Sequence, residues 1–271
     1  MDKRRLLIRL LPVGIAVAVI VFQFFSAEKF TNEAGRTARH ALNPQQEETL
    51  GLRSYQQVLQ ESDVVKSGPE YELVLRVAQR LAAATGPAAT SFQWHVSLVR
   101  SPQVNAFCLP GGKIVVYTGL LPVAETEAGL AAVMGHEMAH ATLRHGSERL
   151  FQEKATQTLL TGLQTSVGDL SYEQQRAVMG AIGAGARYGV LLPFSRDHES
   201  EADKIGLFYM ARAGYDPSAA VAFWQRMSQA GGNGGKPPEF MSTHPSDSTR
   251  IAQLRQLLPQ AQAEYQRAQK Q

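Results

Sequence analysis

The sequence lacks the means to form an intrachain disulfide, because Cys108 is its only cysteine. A lone cysteine of this kind serves most often as a small buried hydrophobe. Net charge is also scarce: the formal charge is +3, and the charged residues within residues 2–9 account for all of it. The rest of the chain is neutral by this count and offers no basic face, so we expect no nucleic-acid partner.

Apolar material is sufficient for a core, since hydrophobic residues make up 44% of the 271 residues. Such a chain is most simply one domain with appendages. The N-terminal appendage is an uncharged apolar run over residues 10–27, LLPVGIAVAVIVFQFFSA, which follows the basic residues. A helix of this length, at about 1.5 Å per residue, spans about 27 Å, close to the hydrocarbon thickness of a bilayer.

We predict that this run is an uncleaved membrane anchor. The alternative is a cleaved signal peptide, but a cut after Ala27 would leave bulky Phe25 where a small residue is preferred. Basic residues before a span tend to stay in the cytoplasm, so everything after residue 27 is expected on the far side of the membrane.

The most informative stretch is residues 130–145, LAAVMGHEMAHATLRH. Its apolar spacing predicts one amphipathic helix. Residues four apart lie on one helix face with Cβ atoms about 6 Å apart, so His136 and His140 can bind the same zinc ion. Glu137 can then act as the general base. A chance occurrence on a solvated helix is the alternative, but the apolar surroundings favour a metal partner, provided that a third ligand exists elsewhere.

The motif is not followed by a third histidine of the H-E-x-x-H-x-x-G-x-x-H type, so we sought that ligand in residues 195–214, SRDHESEADKIGLFYMARAG. On a helix, Glu199 and Asp203 share one stripe with small residues that allow close approach to another helix. Glu199 is therefore placed to complete a two-His, one-Glu site, and Asp203 to hydrogen-bond a ligand imidazole. Glu201 and Asp197 are the rival ligands.

Strand-like patterns precede the metal helix. Residues 92–99 alternate as a strand, and residues 104–121 contain two short strands separated by a Pro-Gly-Gly turn at residues 110–112. An edge strand beside a metal site could pair with an extended peptide through main-chain hydrogen bonds. An ordinary hairpin in a mixed core is the alternative.

Further helices are predicted on both sides of these elements. His145 and Gly146 resemble a helix end with a glycine cap. Residues 171–192 are too interrupted for a membrane span and favour a packed helix or a flap. Residues 231–238, GGNGGKPP, predict a flexible linker. The predicted helices cover residues 43–60, 71–84, 147–160 and 218–230, with a last one within 241–258.

HEMAH, followed by SRDHESEADKIG and preceded by NAFCLPGGKIVVYTGLL, resembles the gluzincin metallopeptidases of the HtpX, BepA and CAAX-prenyl-protease kind. The resemblance covers roughly residues 43–258 and is closest to the periplasmic BepA and LoiP branch. It implies an α+β, mainly helical zincin fold with a small sheet whose edge strand faces the cleft.

The resemblance also implies roles for single residues. Glu199 would bind zinc, and Asp203 is sometimes assigned as a proton donor. His244 and Arg250 match a His-Pro pair and the arginine six residues after its histidine, which suggests catalytic roles. The Asn-Ala-Phe motif would hold the substrate backbone; it comprises Asn105, Ala106 and Phe107.

Together these observations predict one zinc per chain, bound by His136, His140 and Glu199, with Glu137 as the base that lets water attack an amide. His244, after the linker, could occupy zinc's fourth position as a latch, stabilise the oxyanion, or only pack against the last helix.

We expect a membrane-anchored metalloendopeptidase that cleaves misfolded or mis-assembled envelope proteins, with its catalytic domain in the periplasm of a bacterial cell. The alternative is a membrane-tethered chaperone with a structural zinc. The expected domains are residues 1–27 as anchor, 28–258 as peptidase and 259–271 as a Gln-rich tail.

Overall fold

The computed structural model describes residues 3–168, 171, 173, 195–230, 238–244 and 248–270. These residues form two compact units. The first contains the described residues up to Phe30, Thr37–Ala41 and the segment that begins at Ser147. The second contains Thr31–Arg36, Leu42–Gly146 and the described residues from 195 onward. Most of the predicted segment 171–192 and most of the predicted linker lie outside the described residues.

The described elements are mostly helices. The helices are α1 Lys3–Ser26, α2 Pro44–Gln60, α3 Pro69–Ala84, α4 Leu121–Ala124, α5 Glu127–Thr142, α6 His145–Ser166, α7 Arg196–Arg212, α8 Ser218–Ala230, α9 Glu239–Thr243 and α10 Ser248–Ala268. The strands are β1 Lys29–Thr31, β2 Thr37–Arg39, β3 Val64–Val65, β4 His95–Val99, β5 Ala106–Leu109 and β6 Lys113–Tyr117. Two single-turn 3₁₀ helices cover Pro87–Ala89 and Thr118–Leu120.

In the first unit, α1 packs closely on α6. A Cβ atom added to Gly162 would lie 2.6 Å from the Cβ of Ala16, so this contact requires glycine. Other apolar side chains of α1 are exposed, among them Phe22 and Phe25. Within the described residues, we find no helix that combines the length and the apolar character needed to cross a membrane. The anchor over residues 10–27 stays a prediction.

Helix α5 lies at the centre of the second unit. Residues 129–142 are buried all round, so the helix is not amphipathic as its sequence predicted. It crosses α7 at two glycines: a Cβ on Gly206 would lie 2.7 Å from the backbone nitrogen of His136, and a Cβ on Gly135 would lie 2.9 Å from the carbonyl oxygen of Gly206. The predicted close approach through small residues is confirmed, and it brings the histidine motif to the start of α7.

A four-stranded sheet with the order β3-β4-β6-β5 packs beside α5. Strands β4 and β6 are parallel, and the other pairs are antiparallel. The predicted hairpin is confirmed as β5 and β6, and its turn contains Gly111 at φ +75° and Gly112 at φ +85°, which glycine adopts without strain. Within the described residues, β5 has no strand on its other side, so it is the edge strand that the fold prediction required.

Three element boundaries differ from those predicted. Helix α5 ends at Thr142, and the residue in the left-handed region is Arg144 at φ 59°, so Gly146 is not a helix cap but lies in the first turn of α6. The Gln-rich segment from residue 259 is helical, since α10 continues to Ala268 and buries Ala261 completely. The strand predicted from residue 92 begins only at His95.

Candidate metal centre

Four buried side chains converge where α5 and α7 cross. They are His136 and His140 of α5, Glu199 of α7, and His244, the residue that ends α9. One ligand atom from each lies within 4.8 Å of all the others. The three predicted zinc ligands are therefore brought together, and His244 joins them as a fourth.

The spacing of these atoms fits a tetrahedral zinc site. Nε2 of His136 lies 3.1 Å from Nε2 of His140 and 3.5 Å from the Glu199 carboxylate. Nε2 of His140 lies 3.4 Å from that carboxylate. Ligands about 2.0–2.1 Å from a zinc ion at the centre of a tetrahedron are separated by roughly 3.4 Å. The four residues are therefore suited in both type and geometry to hold zinc.

The electrostatics of the site favour a cation. Burial lowers the pKa of His136, but the carboxylates of Asp203 and Glu199 outweigh burial and raise that pKa to about 9. Burial lowers the pKa of His140 well below its usual value. Burial opposes ionisation of Glu199, yet hydrogen bonds from the surrounding histidines hold its pKa well below the usual range. A buried carboxylate that stays charged needs positive partners. Arg250 supplies one to Glu199 at 2.7 Å, and zinc would supply a second.

Glu137 lies on α5 beside the four-residue cluster and is buried. Its Oε1 lies 3.5 Å from Nε2 of His244 and has no hydrogen-bond partner among the described residues. Its carboxylate accepts a hydrogen bond from the backbone of Cys108 on β5. Burial raises the pKa of Glu137, which makes the carboxylate a stronger base. The position and the environment are those that a general base needs.

Asp203 and Arg250 lie behind the ligands. Oδ1 of Asp203 is 3.0 Å from Nδ1 of His136, as predicted for an outer hydrogen-bond partner. Arg250 donates to both Asp203 oxygens at 2.7 Å and contacts Glu199 at 2.7 Å, and its guanidinium lies 4.2 Å above the Trp224 ring. In this arrangement both residues hold ligands in place, and the catalytic role of Asp203 stays a prediction.

Arg250→Met should destabilise the protein strongly, because it leaves Asp203 and part of Glu199 charged and unpaired in the interior. Breaking one side of a buried ion pair costs about 3–5 kcal/mol, which corresponds to a fall in Tm of about 10 °C. Differential scanning calorimetry checks this. Arg255→Met, on the exposed side of the same helix, is the matched control. Similar Tm values for the two variants would show that the contacts of Arg250 with Asp203 and Glu199 do not stabilise the protein.

The structure separates the three residues of the Asn-Ala-Phe motif. Asn105 is half-buried before β5, and Ala106 is buried against the main core. Phe107 packs in a second small core with Tyr117, so its side chain is not at the metal centre. The Tyr117 backbone N–H donates to the carbonyl of Asn105, so Asn105 is a hydrogen-bonded position opposite β6. Such positions alternate along an antiparallel pair, so the main-chain groups of Ala106 and Cys108 point away from β6, toward the open edge of β5.

His145 was missed as a site residue. It is fully buried, and its Nδ1 lies 3.0 Å from Nδ1 of His140. Its Nε2 lies 3.0 Å from Glu201, the rival ligand, which therefore contacts His145 rather than the metal cluster. The other rival, Asp197, is exposed. The sequence signal for His145 is a histidine five residues after His140, and next to Gly146 this signal also fits a helix end.

Comparison with known proteins identifies the chain's relatives. Residues 70–258 match peptidase family M48. The chain belongs to this family. It is 41% identical to the mitochondrial metalloendopeptidase OMA1 of Schizosaccharomyces pombe, over 70% of this chain and 53% of that protein. It is 35% identical to OMA1 of Danio rerio, over 77% of this chain and 45% of that protein. It is 29% identical to the beta-barrel assembly-enhancing protease of Yersinia pestis, over 84% of this chain and 47% of that protein.

M48 membership and the cluster of ligands confirm the predicted zincin fold and the zinc cofactor. The chain spans about half the length of the curated relatives it matches. The mitochondrial relatives named above share more identity with it than the assembly-enhancing protease does. These comparisons establish membership of the M48 family. They do not establish the predicted placement in the periplasmic branch, or the more specific likeness to HtpX and the CAAX proteases.

Proposed function

We propose that this protein is a membrane-anchored zinc metalloendopeptidase that cleaves misfolded or mis-assembled proteins of the bacterial cell envelope. The observation that carries the catalytic part is the juxtaposition of Glu137 with four buried ligand atoms and an open strand edge. The envelope assignment has the support of relatives named beta-barrel assembly-enhancing proteases in Yersinia pestis and Escherichia coli.

The membrane part of the proposal has separate support. Basic residues precede the apolar run 10–27, and the α1 side chains of Ile8, Phe22 and Phe25 are 66%, 72% and 77% exposed. Aromatic and aliphatic side chains exposed together along a helix are a feature of contact with lipid or protein. Anchoring of this kind would hold the catalytic unit near substrates at the same membrane.

In the proposed reaction, zinc held by His136, His140 and Glu199 would supply a Lewis acid that polarises the scissile carbonyl and a water. The open edge of β5 would bind the substrate main chain through the main-chain groups of Ala106 and the carbonyl of Cys108, because the Cys108 N–H already donates to Glu137. Such pairing fixes the amide without regard to most side chains. Oε1 of Glu137 would take the proton from the attacking water and return it to the leaving nitrogen. The alternative, a chaperone with a structural zinc, would need only the strand edge.

The anchor is tested by fractionation. The protein should remain with membranes after a high-salt wash, keep an N-terminus at or near Met1, and be degraded by protease added outside the cytoplasmic membrane. A variant that lacks residues 1–27 should be recovered in the soluble fraction. A mature protein with its N-terminus near Glu28, found in the soluble fraction, would show that the run is a signal peptide instead.

The substrate class is tested in the same cells. Envelope proteins that accumulate in cells producing Glu137→Gln, and are cleaved when the wild type is restored, would support the proposal. Equal rescue of envelope defects by Glu137→Gln and wild type would favour the chaperone.

His244→Ala should increase cleavage of casein. Nδ1 of His244 lies 3.0 Å from Glu199 and 3.4 Å from Nε2 of His136, so it fills the fourth position that an attacking water would need. If this closed arrangement holds about nine-tenths of the molecules, its removal would raise the rate about tenfold. Phe240 stacks on the His244 ring at 4.5 Å, and Phe240→Leu should have a smaller effect in the same direction.

The matched measurement is zinc content, which should stay at one per chain in His244→Ala. Sharply slower cleavage with zinc retained would instead assign His244 to stabilisation of the oxyanion. An unchanged rate with unchanged zinc would remove it from the reaction.

A further inference from the structure

The two histidine ligands are supported from behind in different ways. His136 contacts the carboxylate of Asp203 directly. His140 instead contacts a second imidazole, since its Nδ1 lies 3.0 Å from Nδ1 of His145. Nε2 of His145 lies 3.0 Å from Oε2 of Glu201. The chain of contacts from His140 therefore reaches a carboxylate through one additional ring.

The positions of the ring hydrogens fix the direction of the two hydrogen bonds that link His140, His145 and Glu201. If Nε2 of His140 binds zinc, the neutral ring must carry its hydrogen on Nδ1, which then donates to Nδ1 of His145. His145, in turn, accepts at Nδ1 and must carry its hydrogen on Nε2, which donates to Glu201. Both rings are neutral in this arrangement, and neither bond needs an extra proton.

Glu201, the last residue in this series of contacts, is held in place. Glu201 pairs with Arg36 and accepts from Nδ2 of Asn32 at 2.9 Å, two residues that flank a tight turn before β2. The ring of His198 stacks on His145 at 4.4 Å with an angle of 23° between the planes. The position of Glu201 and the plane of His145 are thus fixed from outside the metal cluster.

We propose that His145 and Glu201 are positioning residues for the zinc ligand His140: they hold it in the Nδ1–H form and make its Nε2 a better donor to the metal. A carboxylate that accepts the hydrogen of a ligand histidine raises the basicity of the ligating nitrogen, and loss of such a partner weakens metal binding about 10- to 100-fold. The inference rests on the proposed zinc ligands and not on any substrate.

The test is the zinc Kd, measured by competition with a fluorescent chelator on the full-length protein. His145→Phe keeps the ring but removes both nitrogens, so the Kd should rise about 10- to 100-fold. His145→Asn places an acceptor oxygen near the position of Nδ1 and should stay closer to wild type. His145→Gln places its polar group near the position of Nε2 and should resemble His145→Phe. This order among three variants is one that a general loss of packing would not produce.

Glu201→Gln provides a second variant at a less buried position, and its zinc Kd should rise about tenfold. Asp197→Asn, an exposed acid on the same helix, is the control and should bind zinc like the wild type. In zinc-loaded wild type, ¹⁵N NMR of the His140 ring should show hydrogen on Nδ1. Unchanged zinc Kd values in both His145→Phe and Glu201→Gln would overturn this inference alone, whereas a wild type that binds no zinc would overturn the zinc site as well.

Discussion

Glu137→Gln should reduce casein cleavage by about 10²- to 10⁴-fold, the usual contribution of a general base, while zinc remains at one per chain. The amide of glutamine has nearly the same shape as the carboxylate but cannot take a proton. The Cys108 backbone can still donate to its oxygen, so the local structure should persist. The measurement is cleavage of labelled casein, together with metal analysis of the same samples.

The control for Glu137→Gln is Glu61→Gln, an exposed position at the end of α2, which should cleave casein at the wild-type rate. Zinc content distinguishes loss of the base from loss of the site. A Glu137→Gln protein that keeps its zinc and still cleaves at more than a tenth of the wild-type rate would assign the base to another residue. The pH profile adds a check on wild type: cleavage should fall on the acid side as Glu137, whose pKa burial raises, becomes protonated.

The core of the site was predictable because its information is local. A spacing of four residues places His136 and His140 on one helix face regardless of what surrounds the helix. The stripe of Glu199 and Asp203, with small residues beside it, likewise follows from helix periodicity. The hairpin of β5 and β6 follows from a Pro-Gly-Gly turn between two apolar runs.

The features that the sequence did not predict depend on contacts between segments that are far apart in the chain. His145 becomes part of the site only because Arg144 takes a left-handed conformation and starts a new helix, which turns the imidazole back toward His140. The helix α10 passes through Pro259 because burial of Ala261 and packing of Tyr265 outweigh the local preference to stop. Neither outcome is encoded in a short window of the chain.

Glu199→Ala and His140→Ala should each bind zinc much more weakly, and this is the largest change in metal binding that we expect from a single substitution. Zinc binding in protein sites amounts to about 10–16 kcal/mol over four ligands, so one ligand contributes about 3 kcal/mol, or roughly a hundredfold in Kd. Glu201→Ala tests the choice between the two glutamates on α7. It should weaken binding only about tenfold, because Glu201 contacts His145 and not the cluster.

His244 affects how the zinc affinity of single variants is interpreted. Its Nδ1 lies 3.0 Å from the Glu199 carboxylate, so it could remain as a ligand when His140 is removed. The double variant His140→Ala/His244→Ala leaves only His136 and Glu199, and two ligands cannot close a tetrahedral site. Zinc should therefore be retained in part by His140→Ala at high zinc concentration and be absent from the double variant. Retention of zinc by Glu199→Ala at wild-type affinity, with loss in Glu201→Ala, would show that the carboxylate ligand is Glu201. Similar zinc Kd values for His140→Ala and the double variant would show that His244 does not reach the metal, and the fourth position would then be free for water.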